Sequence, residues 1–128
     1  MSEPLAIIFY ENLLAGNQLA NRLRDLGYGV RRARAAQEVP EEAARLQALF
    51  VFLEIGEAQE AALEAVRALK SSPRTRHVPV LAFTGEQAPA EQQKRLQAAR
   101  EAGADAATEE RGLLAHLPAM LEQLLNLD

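Results

Sequence analysis

Leu49-Phe50-Val51-Phe52-Leu53 is an unbroken apolar run that stops at a carboxylate, Glu54. A run this short, with no alternation, reads as a strand buried on both faces. Strands of that kind belong to parallel sheets covered by helices. In such sheets, chemistry collects at the carboxyl ends of the strands. Glu54 stands at such an end. Strands also end in solvated charge for no functional reason, so the rest of the chain must decide what Glu54 means.

Two more apolar runs share the pattern. Leu5-Ala6-Ile7-Ile8-Phe9-Tyr10 ends at Glu11, and Pro79-Val80-Leu81-Ala82-Phe83 ends at Thr84-Gly85. Tyr28 to Ala33 is a strand with polar neighbours, nearer an edge. Gly103 to Ala107 is a loop leading into a weak last strand. Helical patterns fill the intervals. Asn12 is an N-cap for the first, whose Ala15, Leu19, Leu23 and Leu26 lie on one face and which Gly27 closes. Pro40-Glu41-Glu42 opens a short second helix ending near Leu46. A third runs from about Ala58 to Ser71, with Ala62, Ala65, Val66 and Leu69 inward. Pro89 to Ala102 is a fourth, with a thin apolar face of Leu96 and Ala99. Gly112 to Leu127 is the last. Strand then helix, five times over, predicts a five-stranded parallel, doubly wound α/β sheet with right-handed crossovers. There is no repeat and no linker, so residues 1–128 read as one domain.

Composition removes several classes of function. The chain has no cysteine, so disulfide and thiolate chemistry are excluded. His77 and His116 are far apart, which argues against a histidine metal site. A net charge of -4 gives no general attraction to nucleic acid. The arginines at 22, 24, 31, 32 and 34 read as a solvated face paired with acids such as Asp25, the rival being a basic patch for an acidic partner or nucleic acid. No apolar stretch reaches membrane-spanning length and the N-terminus has no signal pattern, so the expectation is a cytoplasmic protein. Leu14-Ala15-Gly16-Asn17 carries a lone glycine, far short of a nucleotide fingerprint.

In a doubly wound sheet the ends at Glu11, Glu54 and Thr84 share one rim. Two close carboxylates repel, and a hard divalent cation such as magnesium relieves that. Glu11 and Glu54 are therefore weak magnesium candidates, and two solvated glutamates with no ion are the rival reading.

The order of elements and several stretches of wording resemble a response-regulator receiver domain of the flavodoxin-like fold. Thr75-Arg76-His77-Val78-Pro79-Val80-Leu81-Ala82-Phe83-Thr84-Gly85 is similar to the family's fourth strand and switch threonine. Ala102-Gly103-Ala104-Asp105 is similar to the turn before its fifth strand, and Leu26-Gly27-Tyr28 to the end of its first helix. The resemblance covers nearly the whole chain. It implies that an aspartate after the third strand accepts a phosphoryl group from a histidine kinase; Glu54 stands there. It implies a pair of acids holding magnesium after the first strand; Tyr10 and Glu11 stand there. Gly56 takes the place whose backbone carbonyl meets the metal, and Thr84 keeps the switch hydroxyl. Glu110 replaces the phosphate-contacting lysine, and Ala107 replaces the aromatic of the fifth strand.

These departures point one way. A phosphoryl group needs positive charge nearby, and this rim offers Glu110. Glu54 is a methylene longer than aspartate, and a misplacement of about 1 Å costs about a hundredfold in rate. With one charge against nearly two, Glu54 imitates a phosphorylated aspartate poorly. The expectation is a pseudo-receiver: a non-enzymatic, phosphorylation-independent protein-interaction module without a cofactor. No DNA-binding helix-turn-helix follows, so a complete transcription factor is not expected. Two rivals are a phosphorylatable or magnesium-dependent receiver using Glu54, and a pseudo-receiver that binds a small ligand. In the last helix, Leu114, Leu117, Leu121 and Leu124 form a docking stripe, and Leu113, Met120 and Leu127 a second. With Ala107 the second stripe is the expected partner or homodimer surface. Pro118 requires that helix to start near Ala115 or to bend there.

Overall fold

The run that ends at Glu54 lies at the centre of the sheet. A computed structural model describes residues 4–85 and 88–126. Phe50–Glu54 forms β3, buried along its whole length. It is flanked by β1 (Leu5–Phe9) and β4 (Val80–Thr84). Gly29–Arg32 (β2) and Ala106–Glu109 (β5) form the edges, giving the order β2-β1-β3-β4-β5 with every pair parallel. Continuous apolar sequence marks the three inner strands because both of their faces are covered. The polar edge strands are only partly buried.

Helices cover both faces, and alternate strand residues divide between two cores. Ile7, Val51, Leu53, Val80 and Ala82 face α2 (Val39–Leu46), α3 (Gln59–Ser71) and α4 (Pro89–Ala102). Ile8, Phe50, Phe52, Leu81 and Phe83 face α1 (Leu13–Asp25), α5 (Glu110–Ala115) and α6 (Leu117–Leu125). A short 3-10 helix, Ala36–Glu38, precedes α2. Among the described residues no helix is long and apolar enough to cross a membrane.

Local signals set the helix ends. The Asn12 side chain accepts from the amides of Leu14 and Ala15, so it caps α1. Gly27 takes the left-handed conformation just beyond α1, with φ +97. Within the exposed arginine cluster, Arg31 pairs with Glu42 at 3.0 Å, and Arg22 donates to the Leu114 carbonyl at 2.7 Å.

The last helix differs from its expected form. The chain turns helical at Glu110, directly after β5, breaks at His116 and restarts at Leu117. Pro118 sits in the first turn of α6, where its missing N–H removes no helical bond. The break resets the helical phase, so Leu113 and Met120 do not share one outward stripe. Leu113 is 1% exposed, inside the core. Met120 is half-buried against that same core, Ala107 packs on the opposite side of the sheet, and Leu127 lies outside the described residues. The expectation of a single partner surface through these residues is corrected accordingly.

The burial pattern gives a direct test by denaturant unfolding. Phe52→Ala should cost about 3–5 kcal/mol. Leu125→Ala, at a side chain 51% exposed, should stay within about 0.5 kcal/mol of the parent.

Candidate functional site

Parallel register carries the strand ends to one rim. Phe9 pairs with Leu53, Glu54 with Phe83, and Thr84 with Glu109. Tyr10 and Glu11 follow β1, Gly56 follows β3 and Glu110 follows β5, so the residues singled out from sequence meet at the carboxyl edge.

Two of them are crossed. Glu54 is 5% exposed, and its Oε1 accepts the amide of Glu11 at 2.7 Å and that of Asn12 at 3.0 Å. Glu11 reaches the other way. Its Oε1 accepts the amide of Glu57 at 2.9 Å and its Oε2 that of Ala58 at 2.8 Å. Each carboxylate thus fastens the loop that carries the other. Bonds from an amide to a carboxylate are charge-assisted and shorter than neutral ones. Glu11 also does for α3 what a capping side chain would do. Ala58 at the N-cap offers none, and an anion at that end suits the helix dipole. Gly56 makes this approach possible, because a Cβ there would fall 2.8 Å from Glu11 Oε1.

Thr84 is fully buried, and its Oγ1 accepts Gln92 Nε2 at 3.4 Å. Oε2 of Glu110 is buried as well. A Cβ on Gly85 would lie 3.7 Å from that oxygen and 3.9 Å from Glu54 Oε2, so the two carboxylates flank the same spot. Thr84, Gly85, Gln92, Glu109, Glu110 and Arg111 line a cavity of about 240 Å3. From α4, Arg95 Nη1 donates to the Ile55 carbonyl at 3.3 Å. Sequence reasoning passed over Gln92 and Arg95. The spacing of Glu91 and Arg95, an i,i+4 ion pair, was the only available signal.

No family model and no curated protein matches the sequence. Solved structures do match. The receiver domain of a sensor histidine kinase from Pseudomonas aeruginosa, solved with a magnesium ion coordinated in its active-site cleft, is similar with a TM-score of 0.80 at 19% identity, over 99% of this chain and 100% of that one. A response regulator from Thermotoga maritima gives 0.77 at 17% identity over 99% and 100%. The signal receiver domain of a signal transduction histidine kinase from Syntrophus aciditrophicus gives 0.78 at 19% identity over 95% and 89%. The chain has the receiver fold. At these identities the likeness is one of fold, and the chemistry of the rim rests on this chain's own side chains.

Within this receiver fold, Tyr10 packs into α1. Its ring is buried against α1, its hydroxyl donates to Asn17 Oδ1 at 2.8 Å, and the Arg32 guanidinium lies 4.4 Å from the ring centroid. A Cβ on Gly16 would stand 1.9 Å from ring atom Cδ2, so the ring occupies the space a helical side chain normally takes. Gly16→Ala should therefore destabilise the protein by about 1–3 kcal/mol despite the better helix propensity of alanine. Adding Tyr10→Leu should recover part of that loss in thermal unfolding.

Proposed function

We propose that this chain is a pseudo-receiver: a cytoplasmic module of two-component-type signalling that acts through protein contacts and is not phosphorylated. The crossed carboxylates carry the reading. An acceptor side chain must be reachable, yet Glu54 is almost wholly buried and its Oε1 already serves two amides. The Glu110 carboxylate flanks the same spot and repels an incoming phosphoryl group. The reading includes no catalysis and no nucleic-acid partner.

Magnesium does not fit the donor set. Both oxygens of Glu11 face amide hydrogens, and Tyr10 brings no carboxylate. Among the described residues, no group of three or more His, Cys, Asp or Glu side chains could hold a metal ion. The amides of residues 11, 12, 57 and 58 supply the positive partial charge that a cation would otherwise bring.

Intact mass after incubation with magnesium and acetyl phosphate tests this reading. The mass should remain that of the unmodified chain. A phosphoryl adduct that disappears in Glu54→Gln would overturn the proposal and restore a phosphorylated switch.

A further inference from the structure

We propose that Arg95 is a positioning residue, a latch from α4 that holds the β3–α3 loop where it presents its amides to Glu11. α4 needs such a contact, because only Leu96 and Ala99 of its residues are buried. A helix with so little apolar burial is placed largely by its polar contacts. Arg95 is built for one. Its Nε pairs with Glu91 Oε2 at 3.1 Å, which fixes the guanidinium from its own helix, while Nη1 reaches the Ile55 carbonyl. Its side chain is 18% exposed, whereas Arg31, Arg45 and Arg67 are about half exposed.

The loop in turn needs holding. Ile55 is fully buried and its amide donates to the Phe83 carbonyl at 2.8 Å, so one side of that residue is tied to β4. Gly56 comes next, where a Cβ would fall 2.8 Å from Glu11 Oε1 and push that carboxylate aside, and it contributes maximal backbone freedom. Glu57 and Ala58 then donate to Glu11. Arg95 fastens the last carbonyl before the glycine and so fixes the direction in which the next two amides point. One turn earlier on α4, Gln92 meets Thr84. The N-terminal half of α4 and the carboxylate crossing therefore move together, whether or not the rim accepts a phosphoryl group.

Hydrogen exchange at single amides, in metal-free buffer without phosphodonor, tests the latch. Arg95→Met keeps the apolar stem and removes the donor. It should speed exchange at Glu57 and Ala58 on the order of tenfold, with Val51–Leu53 unchanged. Arg95→Lys should restore most of the protection, since an ammonium can still reach the carbonyl. In Glu11→Ala those amides are already released, so adding Arg95→Met should accelerate them no further. Wild-type exchange at both amides in Arg95→Met would overturn the proposal. So would a uniform rise at all amides, or a lysine variant no better than methionine.

Discussion

A buried carboxylate has to find hydrogen-bond donors, and at the end of β3 that requirement organises the rim. Glu54 lies on a strand buried along its whole length, where an unsatisfied charge would cost several kcal/mol. The donors it meets are the amides of Glu11 and Asn12, just after β1. Those bonds fix the path of the β1–α1 loop. That path aims Glu11 at the β3–α3 loop and leaves the Asn12 side chain to cap α1. The starts of two helices on opposite faces of the sheet thus depend on two crossed side chains.

Each hydrogen bond to a charged group contributes roughly 1.5–3 kcal/mol, and leaving its buried partner unmade costs about as much again. On the proposed reading, a cation entering the rim would compete with the main chain for Glu11 and for Oε1 of Glu54. With Glu110 beside Glu54, the rim holds three acids, and backbone amides meet part of the charge of Glu11 and Glu54. On the proposed reading, the same fold supports a rim that binds an ion and one that is closed by its own loops, depending on which side chains follow the strands.

Much of the fold was legible because burial on both faces leaves an unmistakable mark. Three continuous apolar runs gave the inner strands, and Asn12 and Gly27 marked the ends of α1. The last helix was less legible. Leucine spacing suggested continuity, while the backbone obeyed Pro118 and broke at His116, and burial followed the broken phase. The meeting of Glu11, Glu54, Thr84 and Glu110 followed from topology, but their bonding did not. Every residue carries an amide, so sequence gives no sign of which amides a glutamate will find. Tyr10 was legible only as a missing acid. Its packing over Gly16 required knowing that a glycine inside α1 makes room for a ring.

The central claim is that the rim is closed by its own main chain rather than by a metal. The most direct measurement is the thermal unfolding midpoint in EDTA compared with that in millimolar magnesium at constant ionic strength. A ligand that binds only the native state must raise the midpoint. The account predicts the same midpoint in both buffers. A rise that grows with magnesium concentration, and that Glu11→Gln abolishes, would contradict it.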